Sequence, residues 1–113
     1  MDLQVRSVVQ GDWQVVVVTG ELDAETTPVL SDHLEERVPG PVGQVVVDLA
    51  ELSFIDSTGL ALLVSWHRRL AAGGGEFRLA SMRPSVHKLF RLTDLTAVMH
   101  IHDSVQTATS SRA

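Results

Sequence analysis

Cysteine is missing from the sequence altogether, and with it disulfides, thiol catalysis and thiolate metal sites. Long apolar runs are missing too. The longest, such as Val15–Val18 and Leu60–Val64, fall far short of the roughly 20 residues that a membrane-spanning helix needs. Met1-Asp2-Leu3-Gln4 has neither the basic start nor the apolar stretch of a secretory signal. Positive charge is scarce: 9 lysines and arginines face 14 acids, for a formal net charge of −5. That balance suits sequence-independent binding of nucleic acid poorly, because phosphate neutralisation supplies much of such affinity. A soluble cytoplasmic protein is expected, with no membrane and no direct nucleic-acid partner.

What remains is an ordinary globular composition, 44% hydrophobic and 20% charged. The 113 residues suit a single domain, 1–113, with one two- or three-layer core. The charge is unevenly spread. Residues 1–56 hold eleven acids and two bases, whereas residues 57–113 hold three acids and seven bases. Such an asymmetry can orient a protein partner, although a solvated pattern without a role explains the charge more simply.

Leu3–Val9 and Trp13–Thr19 are rich in β-branched residues and flank Gln10-Gly11-Asp12, the pattern of a hairpin. In the second strand Trp13, Val15 and Val17 take one face and Val16 and Val18 the other, so it is buried on both sides. Gly20-Glu21-Leu22-Asp23 breaks it. A helix follows from Thr26 or Thr27 to Arg37, with threonine capping and Pro28 in the first turn. Val29, Leu30, Leu34 and Val38 form its apolar stripe, and Pro39-Gly40-Pro41 ends it. Gln44–Leu49 is a short apolar run of the kind found in central parallel strands. A helix over Ser57–Ala72 presents Leu60, Leu63, Val64, Leu70 and Ala71, and Gly73-Gly74-Gly75 stops it. Phe77–Ala80 reads as a strand and Pro84–Leu92 as a helix with Val86, Leu89 and Phe90 inward. Ala97–Ile101 reads as a last strand, and Asp103–Thr109 as a terminal helix capped by Asp103. Strands alternating with helices give an α/β layer structure with a mostly parallel sheet.

Right-handed crossovers line up the carboxyl ends of parallel strands along one edge, where ligands of open sheets sit. The strands before Gly20–Asp23 and before Asp56 are expected to be adjacent and parallel. This gathers Glu21, Asp23, Asp56, Ser57 and Thr58 on one rim and brings Asp23 close to Ser57. Asp56-Ser57-Thr58-Gly59 reads first as a helix N-cap, a side-chain oxygen accepting from free N–H groups, worth about 1 kcal/mol. One capping residue is enough, however, and three candidates stand in a row. A first-turn hydroxyl is also exposed and near the positive helix end, where a phosphate is tolerated. Ser57 is therefore a candidate modification site.

Other chemistry is less well served. A serine nucleophile needs a base within hydrogen-bond reach and an oxyanion hole. The pattern is not Gly-x-Ser-x-Gly, and the nearest histidine, His67, lies about three turns along the helix. Only His33, His87, His100 or His102 could complete such a site, and no hydrolytic activity is expected. Asp23, Asp48 and Asp56 near strand ends could hold Mg²⁺, but no adjacent acidic pair follows an early strand and no lysine stands near the final one. His100-x-His102 shares one face of a strand without an evident third ligand. Neither a metal nor a cofactor is expected. Gly73-Gly74-Gly75 follows a helix instead of opening one, unlike a phosphate loop. Arg83, His87, Lys88 and Arg91 form a basic patch that suits a solvated face. Trp66 and Leu62, four apart, could equally pack inward or face a partner.

Three segments recur together in one order: Gly20-Glu21-Leu22-Asp23; Val46-Val47-Asp48-Leu49 with Phe54-Ile55-Asp56-Ser57-Thr58-Gly59-Leu60; and Pro84-Ser85-Val86-His87-Lys88-Leu89-Phe90. With them the chain resembles, over essentially its whole length, the STAS domain of bacterial anti-sigma factor antagonists. The resemblance implies a mixed sheet of about five strands flanked by about four helices, without enzymatic activity. It implies that Ser57 is phosphorylated by a partner anti-sigma factor that is itself a serine kinase. Glu21, Asp23, Asp56, Ser57, Thr58 and Gly59 would then meet that partner, and a serine phosphatase would reset the switch. A monomer or weak dimer is expected. Thr58 stands where the family often has a second serine, and Asp94 where a helix-ending glycine is common; aspartate tolerates the left-handed conformation. A phosphorylatable STAS scaffold of a larger signalling assembly and a nucleotide-binding STAS module remain open alternatives.

Overall fold

The computed structural model describes residues 2–38 and 43–110. A hairpin of β1 (Leu3–Gln10) and β2 (Trp13–Leu22) turns at Gly11-Asp12. Then come α1 (Thr27–Arg37), β3 (Gln44–Ile55), α2 (Ser57–Ala72), β4 (Glu76–Ala80) and α3 (Pro84–Leu92). A 3₁₀ turn at Leu95–Ala97 leads to β5 (His100–His102) and α4 (Val105–Ser110). The sheet order is β1-β2-β3-β4-β5; only the β1–β2 pair is antiparallel. This is the mixed, mostly parallel α/β architecture that the alternation of strands and helices predicts.

The two faces of β2 feed two cores. Val16 and Val18, with Val45, Val47, Leu49, Phe77 and Leu79, lie against Leu30 and Leu34 of α1 and Leu63, Trp66 and Leu70 of α2. Val86 and Phe90 of α3 close the same core. On the opposite face Trp13, Val15, Val17, Val46 and Ala80 lie beneath Val105 and Ala108 of α4. Arg78 is wholly buried on this side. Its Nη1 donates to Ala108 O at 2.8 Å, its Nη2 donates to Glu76 Oε1 at 2.8 Å, and its guanidinium stands 4.6 Å from the Trp13 ring centroid. A charge can be carried inside only with such partners.

Several elements differ from their sequence-based bounds. β2 does not break at Gly20 but bends there and runs on to Leu22. Gly20 has φ +116°, and a Cβ would stand 2.2 Å from Asp2 O, so the bend is open to glycine alone. β3 likewise continues past Leu49 to Ile55. Beyond Asp48 it pairs with β2 but no longer with β4. In that stretch Leu49, Leu52 and Ile55 are buried at every third position, which strict alternation cannot achieve. Register shifts between Val17 and Thr19 and between Gly20 and Glu21 absorb the mismatch.

Val29, expected inward, is exposed, since α1 is seated through Leu30 and Leu34. Ala71 is exposed as well and Val64 only half-buried; α2 is seated through Gly59, Leu60, Leu63, Trp66 and Leu70. Trp66 packs inward, 3% exposed, with the Arg69 guanidinium 4.3 Å from its ring centroid. The last strand begins at His100 and not at Ala97, because Asp94 (φ +60°) turns the chain into the 3₁₀ segment first. The cap of α4 is Ser104, whose Oγ accepts from Thr107 N at 3.1 Å, and not Asp103. The expected Pro39-Gly40-Pro41 stop lies outside the described residues.

Candidate functional site

β2 and β3 are parallel neighbours whose last residues, Leu22 and Ile55, are register partners. Asp56 N donates to Leu22 O at 3.1 Å, so the two following turns lie side by side. The expected rim is thus assembled, with Asp23 and Ser57 at the same end of the sheet.

In the first turn the Asp23 carboxylate is folded back on the chain. Its Oδ1 accepts from Glu25 N at 3.0 Å and Thr26 N at 2.9 Å. Thr26, expected as a cap, makes no capping bond from its side chain. Its hydroxyl instead accepts from Asp23 N at 3.0 Å and donates to Glu21 O at 2.7 Å, with Asp23 Oδ1 3.1 Å away as a second acceptor. Thr26 is only 5% exposed. The Thr26 N–H above all, helped by the Thr26 hydroxyl and the Glu25 N–H, holds the Asp23 carboxyl below its ordinary range against the opposing effect of burial.

The second turn is built alike and finished differently. Asp56 alone caps α2: its Oδ1 accepts from Thr58 N at 2.9 Å and Gly59 N at 3.1 Å. Gly59 lets the helix sit down on the strand ends, since a Cβ there would stand 2.8 Å from Ile55 Cγ1 and 2.9 Å from Leu22 Cγ. Thr58 is exposed. Ser57 is exposed at the first helical position, and among the described residues its hydroxyl has no hydrogen-bond partner. No base is bonded to it.

The other candidates do not join this rim. Asp48 Oδ1 accepts from Ala50 N at 3.1 Å within β3. Among the described residues no three His, Asp or Glu side chains come together as a metal-ligand set. His67 and His100 stand edge to face, 5.7 Å between centroids. Burial foremost, then the charge of His100, lowers the His67 pKa. The basic patch disperses: Arg83 Nε donates to Ala50 O at 3.0 Å, while Arg91 and His87 pair with each other at 2.9 Å.

The STAS domain family matches residues 4–108, from β1 to α4. The chain belongs to that family. A relative of the STAS domain, the anti-sigma-B factor antagonist of Staphylococcus epidermidis, is 30% identical over 106 residues, 94% of this chain and 98% of that protein. An anti-sigma factor antagonist from Mycobacterium paratuberculosis has the same fold at a TM-score of 0.83 and 25% identity, with 95% of this chain and 91% of that chain covered. The anti-sigma factor antagonist SpoIIAA in its unphosphorylated form matches at a TM-score of 0.75 and 26% identity, covering 95% and 92%. These relatives are regulatory proteins. No helix of the STAS domain, among the described residues, is long and apolar enough to cross a membrane.

One feature of this STAS domain escaped the sequence reading. Ser57, Leu60, Ala61, Val64, Ser65 and Arg68 form one face of α2 and, with Thr93 and Leu95, line an open groove of about 380 Å³. Its signal is a second stripe at helical spacing beside the core stripe of Gly59, Leu60, Leu63, Trp66 and Leu70, with the buried Leu60 bordering both.

Proposed function

We infer that this single STAS domain is an anti-sigma factor antagonist acting in the cytoplasm. Unmodified, the rim of Glu21, Asp23, Asp56, Ser57, Thr58 and Gly59 binds an anti-sigma factor of serine-kinase type, which then gives up its sigma factor. Phosphorylation of Ser57 ends the interaction, and a serine phosphatase restores it. The observation that carries this reading is the exposed Ser57 hydroxyl, unbonded among the described residues, beside an Asp56 that already caps the helix. The names of the relatives support the partner class, and SpoIIAA is described by its phosphorylation state.

The chemistry follows from the position. Ser57 Oγ attacks the γ-phosphorus of ATP held by the partner; the Oγ–P bond forms as the bond to the ADP oxygen breaks, and the hydroxyl proton goes to a base of the partner. The product carries nearly two negative charges beside Asp56. The amino end of α2 accommodates them, so the fold survives, while a partner surface suited to a neutral hydroxyl is repelled. The domain is a substrate of this reaction, not its catalyst.

The test combines purified kinase-type anti-sigma factor, ATP and intact-mass measurement with a binding titration. Wild type should gain one phosphate and lose affinity; Ser57→Ala should gain none and keep binding; Ser57→Asp should fold and bind weakly. A phosphate that still appears on Ser57→Ala would overturn the assignment.

A further inference from the structure

The two edges of the sheet are unlike. β5 ends it with three residues, a short edge of the kind that resists further pairing. β1 ends it with eight, Leu3–Gln10, and has no strand on its outer side among the described residues. Glu21 N donates to Asp2 O at 3.0 Å, and the β1–β2 register runs unbroken from Leu3↔Gly20 to Gln10↔Trp13. Bonded and unbonded pairs alternate along an antiparallel ladder, so Gln4, Arg6, Val8 and Gln10 bond inward to β2. Leu3, Val5, Ser7 and Val9 therefore turn their N–H and C=O groups outward. Proline and lysine, which commonly blunt such an edge, are absent from it. Val8 and Val9 instead stand 51% and 69% exposed near the hairpin turn.

We propose that β1 pairs antiparallel with β1 of a second copy about a two-fold axis at Val8, joining two sheets into one. Self-complementarity selects this occupant. The outward groups belong to odd-numbered residues, so every two-fold register sets one residue of β1 opposite itself. A centre at Arg6 stacks two guanidinium groups, and a centre at Ser7 sets Asp2 opposite the partner's Asp12. A centre at Val5 leaves Val9 without a facing strand, and a centre at Val9 does the same to Val5. The centre at Val8 has none of these faults. Val8 meets the partner's Val8 in a closely spaced, non-hydrogen-bonded pair, and Val9 lies opposite the partner's Ser7. Arg6 lies opposite the partner's Gln10, with the partner's Asp12 in diagonal reach. Both charged side chains are exposed, and they share a face of the sheet: Asp12 and Gln10 line one cleft with Gln106 and Thr109 of α4. The contact occurs twice, once on each side of the axis, with opposite charges meeting each time.

The chain has no cysteine, so a single introduced thiol reports the register. Val8→Cys should cross-link to a dimer in oxidised glutathione, because facing residues of a non-hydrogen-bonded pair stand about 4.5 Å apart. Gln4→Cys, equally exposed, should not, since its two copies lie eight residues, about 27 Å, apart along the strands. In sedimentation equilibrium the wild-type mass should rise from monomer toward dimer with concentration. Val8→Lys, which sets two ammonium groups face to face, should abolish that rise. Arg6→Asp should raise the dimer Kd about tenfold, and Arg6→Asp combined with Asp12→Arg should return it to within about twofold of wild type. Wild type that stays monomeric at every concentration overturns the proposal. So does Gln4→Cys cross-linking as well as Val8→Cys. Neither result touches the Ser57 reading, which concerns the turn after β3.

Discussion

The turn after β2 and the turn after β3 are the same device used twice. Each follows a parallel strand, each is led by an aspartate that accepts two backbone N–H bonds, and each opens onto a helix. They part at the hydroxyl. Thr26 is buried, accepts from Asp23 N and donates to Glu21 O, so it is part of the scaffold. Ser57 is exposed and bonded to nothing among the described residues. In one turn the hydroxyl stabilises; in the other the carboxylate does that work alone and leaves the hydroxyl exposed. A hydroxyl's role is thus set by what its neighbours have already satisfied.

The comparison can be broken from its shared support outward. Gly59→Val should cost about 3 kcal/mol, because the new side chain must displace Ile55 and Leu22 beneath both turns; denaturant unfolding measures it. Thr26→Ala should cost about 2 kcal/mol, since the lost hydroxyl leaves Glu21 O and Asp23 N without this partner. Asp56→Ala, which removes the cap of α2, should cost about 1 kcal/mol by the same assay.

Acid titration sharpens the first turn. The folded pKa of Asp23 lies below its ordinary 3.8, so the ionised form is favoured by folding. Its contribution is complete above the unfolded value and disappears as pH falls through the folded one. The melting temperatures of wild type and Asp23→Asn should therefore differ at neutral pH and converge as pH falls through the lowered folded pKa. A constant difference across that range would assign the effect to something other than charge. The smallest expected effect is Ser57→Ala, within about 0.5 kcal/mol of wild type. A loss of 2 kcal/mol there would make Ser57 a second Thr26 and erase the contrast.

Much of this was legible in the sequence, and the failures share a cause. The order of elements, the double burial of β2 and the placing of Asp23 and Ser57 at one end of the sheet follow from periodicity and crossover handedness. Asp56 was one of three capping candidates, and only geometry chooses among them. Glu51, Ser53 and Phe54 hid the continuation of β3, because a strand with one neighbour no longer alternates cleanly. Val29 lies at the edge of its apolar stripe, about 100° round the helix from Leu30, and spacing alone does not show that α1 is seated through Leu30 and Leu34. Thr26 was read as a local cap; its bond to Glu21 O depends on how β2 ends, which no helix rule contains. Trp66 was left undecided by spacing and settled by packing.

The buried Arg78 has a consequence for how the chain is made. Its acceptor on α4, Ala108 O, lies thirty residues downstream. At ribosomal speeds of about 5–20 residues per second, the guanidinium waits roughly 1.5–6 s for that carbonyl. During the delay the strip of Trp13, Val15, Val17 and Val46 lacks its lid, while β1 to β3 and all of α2 have already been synthesised. The rim that carries Asp23 and Ser57 thus emerges early, and the face beneath α4 is sealed only when Val105–Ser110 arrives.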